Sequence, residues 1–175
     1  EVGHIFYFGT KYSETMGATV SGPDGNSLEL HMGSYGIGVS RLVGAIIEAS
    51  HDDKGIIWPE AVSPFDIAII YLKPGNETVD NMSETLYQTG LLNKHDCLYD
   101  DSDESAGTKL AVMDLIGIPW QLVVGPRGLK QNIIELKHRK SGRVLEISPE
   151  MAIEFISKQG NFIMPDTSFL RGTKK

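Results

Sequence analysis

Apolar positions recur with period two in some stretches of the chain and with helical spacing in others, and the switch between the two predicts most elements. "HIFYF" (4–8) reads as a largely buried strand. "GATVSGPDGNSLELHMG" (17–33) reads as two strands around "GPDG", whose Pro, Asp and Gly suit a tight reversal. Within "SLELHM", Leu28, Leu30 and Met32 alternate with Glu29 and His31, so one face is apolar and the other polar. From Gly36 to Ser50 the pattern turns helical, with Ile37, Leu42, Ala45, Ile46 and Ala49 as an apolar surface. That helix is expected to start within a glycine-rich turn.

"HDDKGIIWPEAVSPF", His51 to Phe65, reads as a connection, because Pro59 and Pro64 disfavour continuous helix and Gly55 favours a turn. Beyond it, strand and helix signals alternate. "FDIAIIYL" is a central strand, Glu77 to Leu92 a helix, "HDCLY" a second strand, Ala106 to Ile116 a helix and "WQLVVG" a third strand. "IIELKHR" and "RVLEI" are more exposed strands, and Pro149 and Glu150 open a last helix whose apolar face holds Met151, Ile153, Phe155 and Ile156. The order predicts a layered α/β domain from about residue 62. Whether all its strands run parallel, or the late ones form a hairpin, is open from the pattern.

With 175 residues, 41% of them apolar, the chain can bury one domain and a small part of another. It opens on Glu1-Val2-Gly3-His4 and passes straight into "IFYF", so the expectation is a piece of a longer protein. No apolar run reaches the roughly 18 residues of a membrane span, so no membrane partner is expected. Cys97 is the sole cysteine, which excludes an internal disulfide or a multi-cysteine zinc site and suits simple packing. His4, His31, His51, His95 and His138 lie too far apart to form a local metal motif, and no metal ligand is assigned.

The net charge of −7 argues against a uniformly basic RNA-binding surface, but its distribution changes the picture. Through Asp101 there are five Lys/Arg against 15 Asp/Glu; from Ser102 onward there are 11 against eight. Arg127 to Arg143 holds six basic residues and one acid, Glu135, and such a local excess can attract phosphate. Solvation of the surface explains the same run.

The stretch "MGSYGIGVSRLV" (32–43) carries the sharpest chemical candidate. Its glycines permit a tight turn or close ligand approach. Arg41 lies three residues after Gly38, so a helix starting there can bring its guanidinium back towards the turn to bind a phosphoryl group. Neither a P-loop nor a dinucleotide fingerprint is present. A bare turn with a solvent-facing arginine fits the pattern too. Asp52-Asp53 and Asp100-Asp101 lack the spacing of a catalytic pair, and Ser34 and Ser40 lack a His-acid partner.

Taken in order, "EVGHIFYFGTKYSETMGA" and "HMGSYGIGVSRLVGAIIE" closely resemble the end of the catalytic domain of bacterial prolyl-tRNA synthetases. "DDKGIIWPEAVSPFDIAII" resembles their passage into the anticodon-binding domain, and "DLIGIPWQLVVGPRGLKQNIIELKHR" extends the likeness over essentially the whole chain. The resemblance implies residues 1–61 as the terminal part of a class II catalytic domain. It implies residues 62–175 as an anticodon-binding domain with a mixed five-stranded sheet and flanking helices.

On this likeness "GIGVSR" matches class II motif 3, so Gly36 and Gly38 would shape an ATP site and Arg41 would contact the triphosphate as the one catalytic residue. Glu1, Gly3, His4, Thr10, Ser13 and Ser34 would lie at the proline pocket, Ser34 standing where many relatives carry Cys. Lys109, Arg127, Lys130 and Lys137 would contact tRNA, although Ser102 replaces an arginine frequent in relatives. The implied reaction forms prolyl-adenylate from proline and ATP with Mg2+, then transfers the prolyl group to proline tRNA, in a cytoplasmic, homodimeric full-length protein. Motifs 1 and 2 would lie upstream, so this chain alone is expected to be inactive. The competing reading is a standalone RNA-binding or protein-interaction module.

Overall fold

The computed structural model describes residues 1–158, and the end of the expected second domain, 159–175, lies outside the described residues. The chain forms two compact units, Glu1–Ala49 and Ser50–Lys175, dividing before the boundary expected at residues 61/62.

In the first unit, β1 (Gly3–Gly9) pairs antiparallel with β4 (Met32–Ile37), and α1 (Lys11–Met16) follows β1. A small hairpin, β2 (Thr19–Ser21) with β3 (Ser27–Glu29), turns at the expected Pro-Asp-Gly segment, and α2 (Val39–Ala49) ends the unit. Residues 32–37 are therefore a strand, and the helix begins at Val39 rather than within a glycine turn. Pairing explains the difference: Gly33 and Gly36 lie opposite Tyr7 and His4, and β1 supplies a ladder for a segment whose composition favours neither state. Little of this unit is buried. Ser13 is fully enclosed, while Ile5, Tyr7, Tyr35, Ile37 and Val39 on β1, β4 and α2 are each at least two-thirds exposed.

The second unit opens with a short hairpin, β5 (His51–Asp52) and β6 (Gly55–Ile56), then one 3-10 turn (Glu60–Val62). Its main sheet has the order β11-β10-β9-β7-β8. β7 (Ile67–Tyr71) runs parallel to β8 (Cys97–Asp100) and β9 (Trp120–Val124), while β10 (Ile134–His138) and β11 (Arg143–Ile147) continue it antiparallel. α3 (Glu77–Leu92) joins β7 to β8, α4 (Ala106–Ile116) joins β8 to β9, and α5 (Pro126–Lys130) and α6 (Pro149–Ser157) complete it. The sheet is mixed, which settles what the pattern left open.

β7 is buried along its whole length, and its alternation sorts the core into two layers. Ile67, Ile69 and Tyr71 face Val79 and Leu86 of α3 and Ala152, Phe155 and Ile156 of α6. Ala68 and Ile70 face the other way, with Val123, Met113 of α4 and Ile118, and with Trp58 and Phe65 packed alongside. The helix starts are specified by local chemistry. Asn76, Ser105 and Ser148 each accept the N–H of the third residue on, from Val79, Thr108 and Met151. Pro149 occupies the first turn of α6, where its missing N–H costs nothing.

Candidate functional site

Two groups of expected site residues fall in different units. In the first, the register pairs His4 with Gly36 and Phe6 with Ser34, so His4, Phe6, Ser34 and Gly36 share one face of the two-stranded ribbon. The His4 ring stacks on Phe6 with centroids 4.1 Å apart, and its Nδ1 lies 2.9 Å from Glu1 Oε1. Gly38 stands between β4 and α2; its N–H donates to Val2 O at 2.9 Å, and its carbonyl accepts the first helical bond from Leu42 N. Arg41, in the first turn of α2, donates from Nη1 to Glu1 O at 3.2 Å and is otherwise exposed. Glu1, His4, Gly36, Gly38 and Arg41 thus gather at one end of the ribbon, with a free guanidinium face beside a helix start.

Thr10 and Ser13 lie at the opposite end. Six residues of extended chain separate Thr10 from His4, about 20 Å at the strand rise. Ser13 Oγ is enclosed and donates to Leu30 O at 2.5 Å and to Thr10 O at 3.1 Å, while Thr10 Oγ1 donates to the Glu14 carboxylate. Ser13 thereby ties α1 to the chain after β3, while the Thr10 hydroxyl bonds within the first turn of α1.

In the second unit, chain direction selects the place for a ligand. From their C-terminal ends β7 and β8 lead to helices on opposite faces of the sheet, α3 and α4, and such a switch point opens a crevice at the strand ends. The polar segment Asp100 to Ser105 rims it, with Ser102 Oγ donating to Asp100 Oδ1 at 2.6 Å. A hollow between β8 and α4 is lined by Leu98, Asp100, Ser102, Glu104, Thr108 and Val112, among others. At the same end of the sheet, α5 follows β9 and carries Arg127 and Lys130, both exposed.

Lys109 is the principal departure from expectation. Its side chain is fully buried, with Nζ donating to Tyr71 O at 2.6 Å and Asp100 O at 3.1 Å and lying 3.6 Å from Asp100 Oδ1. The ammonium pins the ends of β7 and β8 together from inside and is spent before any phosphate could use it. Lys137 is likewise half-enclosed and paired with the Asp114 carboxylate. Arg139, 4% exposed, forks onto Asp52 at 2.8 and 2.6 Å. Of the basic interval, Arg127, Lys130, Lys140 and Arg143 remain exposed.

Three residues with long-range polar roles carried no local signal in the sequence. Trp58 Nε1 donates to Ile116 O at 3.0 Å, Gln121 Nε2 reaches Met113 O at 3.4 Å, and Arg139 Nε donates to Asp114 O at 3.0 Å. Each partner is 8 to 58 residues away in the chain. Among the described residues no group of three or more His, Cys, Asp or Glu could hold a metal ion, and no helix is long and apolar enough to cross a membrane.

A mixed five-stranded sheet with its crevice at the parallel strand ends is the architecture of the anticodon-binding modules of class II aminoacyl-tRNA synthetases. Residues 66–159 match the family model described as "Anticodon binding domain", and the chain belongs to that family. Its similarity narrows to the prolyl-tRNA synthetases. It is 60% identical over 157 residues to the proline–tRNA ligase of Parvibaculum lavamentivorans, covering 90% of this chain and 36% of that protein. It is 60% identical over 153 residues to that of Paracoccus denitrificans, covering 87% and 34%. The chain thus spans about a third of the length of these curated relatives. A solved structure of Giardia lamblia prolyl-tRNA synthetase in complex with prolyl-adenylate shares the fold, with a TM-score of 0.71 at 21% identity over 90% of this chain and 33% of that one.

Proposed function

We propose that the chain is part of a prolyl-tRNA synthetase that activates proline with ATP and transfers it to proline tRNA. The observation that carries this reading is the 60% identity to proline–tRNA ligases, sustained over 90% of the chain and therefore through both units. The first unit supplies motif 3. Arg41 offers its guanidinium to the triphosphate of ATP, stabilising the charge that develops on the leaving pyrophosphate without acting as a base. Gly38 and Gly36 keep the approach free of side chains, while His4, Ser34 and Glu1 border the proline side of the same ribbon. Gly3 belongs to that border through its backbone.

Magnesium is expected with ATP; Glu1 is the carboxylate gathered with His4 and Arg41, and Mg2+ commonly takes one or two carboxylates together with substrate phosphates. The rest of the active site belongs to other parts of the longer protein. The exposed apolar faces of β1 and β4 support this, since a two-stranded ribbon is marginal alone and large exposed apolar patches mark surfaces that something covers. We place the protein in the cytoplasm as a homodimer on the same family grounds.

The second unit binds the anticodon at the crevice. Ser102 and Glu104, both exposed, offer acceptors to base N–H groups, while Arg127 and Lys130 offer positive charge to the backbone. Lys109 holds the crevice together from within, and Lys137 fixes α4. Proline-dependent exchange of pyrophosphate into ATP by the full-length protein tests the substrate assignment. Exchange driven by proline and by no other amino acid is expected; exchange driven by a different amino acid, with none for proline, would overturn it. A standalone RNA-binding module would show no exchange with any amino acid.

A further inference from the structure

The sheet of the second unit has a second open end, opposite the crevice. α3 delivers the chain to the start of β8 and α4 delivers it to the start of β9, so the N-terminal edge of the parallel strands is built from the turns that follow two helices. Between this edge and the last turn of α6 lies a cavity of about 210 Å3. Its apolar wall is Ile67 at the start of β7, Pro119 and Trp120 at the start of β9, and Phe155 of α6, the Trp120 and Phe155 rings meeting edge to face at 5.3 Å. Pockets for drug-sized molecules run to ~300–1,000 Å3, so this one suits a smaller ligand.

The polar groups around it favour one sign of charge. Asp66 and Glu60 both line the cavity and reach solvent, with side chains 48% and 65% exposed. Asp66 Oδ2 accepts from Asp96 N at 3.1 Å and lies 3.3 Å from His95 Nδ1, while Oδ1 has no hydrogen-bond partner among the described residues. Glu60 Oε1 lies 3.9 Å from His138 Nε2. Burial pulls the His138 pKa below its ordinary value, so at pH 8 that ring is neutral and the Glu60 carboxylate keeps its charge. Lys158, the lysine among the lining residues, pairs with Glu154 at 2.5 Å, which offsets its charge.

Two further features point the same way. α3 ends three residues before His95, and α6 ends beside the cavity at Ser157; the negative end of a helix dipole favours a cation. His95 also lines the cavity, and its Nε2 is enclosed with no hydrogen-bond partner among the described residues. With Nδ1–H turned to the Asp66 carboxylate, Nε2 is left as an acceptor in want of a donor.

We infer that this cavity binds a small organic cation: an ammonium, amidinium or guanidinium group on a short apolar body. The body packs against Trp120, Phe155 and Ile67, and the head pairs with the carboxylates at the mouth. Those carboxylates repel an anion, and a neutral ligand leaves them without a partner. The length of β7, five residues or about 16 Å, separates the cavity from the crevice, so the inference stands independently of anticodon binding there.

Benzamidine, benzamide and benzoate are nearly alike in shape and differ in charge, and their binding to the full-length protein is measured by isothermal titration at pH 8 and low salt. Benzamidine is expected to bind at least tenfold more tightly than benzamide, and benzoate not to bind. Asp66→Asn, which keeps an acceptor for Asp96 N, and Glu60→Gln are each expected to weaken benzamidine about threefold to fivefold, as loss of an exposed ion pair does, and together by about tenfold or more, with benzamide unchanged. Thermal unfolding checks each variant, and Glu60→Gln, on an exposed turn, carries the test if Asp66→Asn does not fold. Equal binding of benzamidine and benzamide, or benzamidine binding that survives the substitutions in a folded protein, would overturn the inference. So would absence of binding to the unsubstituted protein, the outcome if another part of the protein fills the cavity. Displacement of benzamidine by a proline tRNA anticodon stem-loop would merge the cavity with the crevice and overturn its assignment as a separate site; binding that persists beside the stem-loop supports it.

Discussion

Replacing Lys109 by Met separates a structural strut from an RNA contact. Methionine keeps most of the unbranched stem and removes the ammonium. The lost interactions are two charge-assisted hydrogen bonds to Tyr71 O and Asp100 O and the pair with Asp100, whose side chain is 10% exposed. Each such bond contributes about 1.5–3 kcal/mol, and leaving one partner of a buried pair behind costs about 3–5 kcal/mol. A net loss near 4 kcal/mol is a large share of the roughly 5–15 kcal/mol that holds a domain folded. With a urea slope of about 2 kcal/mol per molar, the unfolding midpoint falls by about 2 M. Trp58 and Trp120 are the only tryptophans and both belong to the second unit, so their fluorescence reports its unfolding alone. RNA binding is then measured as a function of salt while the variant is folded. A lost phosphate contact lowers the salt slope by about 0.7–0.9, and Lys109→Met is expected to leave it unchanged. An unchanged urea midpoint together with a reduced salt slope would refute the internal role of Lys109.

Arg127→Ala with Lys130→Ala, on the exposed face of α5, is expected to do the reverse: the salt slope for RNA binding drops by about 1.4 or more while the urea midpoint holds. Arg41→Ala in the full-length protein lowers kcat/KM for ATP in pyrophosphate exchange by about tenfold to a hundredfold, the worth of one charge-assisted phosphate contact, and leaves tRNA affinity intact. Cys97 resists alkylation at pH 8 in the folded protein, because burial, and then the Asp66 and Asp96 carboxylates, push its thiol up to about 11; rapid labelling at pH 8 contradicts this packing. The hydrogen bond from Arg139 holds the Asp52 carboxyl far below the usual range, so its stabilisation is complete above the unfolded value of about 3.9 and is lost as pH falls through the lower folded value. The difference in urea midpoint between the unsubstituted chain and Asp52→Asn should therefore be level above about pH 5 and shrink towards strong acid; a difference that grows on acidification contradicts the pair.

The second unit was legible wherever a segment's own pattern decides its state. Glu77 to Leu92 and Ala106 to Ile116 are helices over the expected residues, and the apolar run at 65–72 holds β7, an interior strand between β8 and the middle strand β9. Legibility ended where a partner decides. The segment 32–37 reads as a glycine turn by itself and becomes a strand only because β1 lies beside it. The hairpin at 51–56 reads as a linker because its stabilising partners, Arg139 and the end of α4, are far along the chain. Lys109 shows the same limit for side chains. A lysine in the first turn of α4 is expected to reach outward to tRNA until the fold brings two strand ends around its ammonium. The gathering of His4, Ser34 and Gly36 on one face followed from the β1–β4 register, which no single segment encodes.

The most direct measurement of the central claim is prolylation by the full-length protein of two proline tRNA transcripts that differ only in the anticodon, at matched ionic strength. The account predicts that proline is attached to both with the native anticodon strongly preferred, and that the preference falls when the Asp100 to Ser105 segment is replaced by a Gly/Ser stretch of equal length. Equal charging of the two transcripts, or a preference that survives that replacement in a folded protein, would contradict anticodon recognition at this crevice, and absence of prolylation would contradict the assignment as a whole.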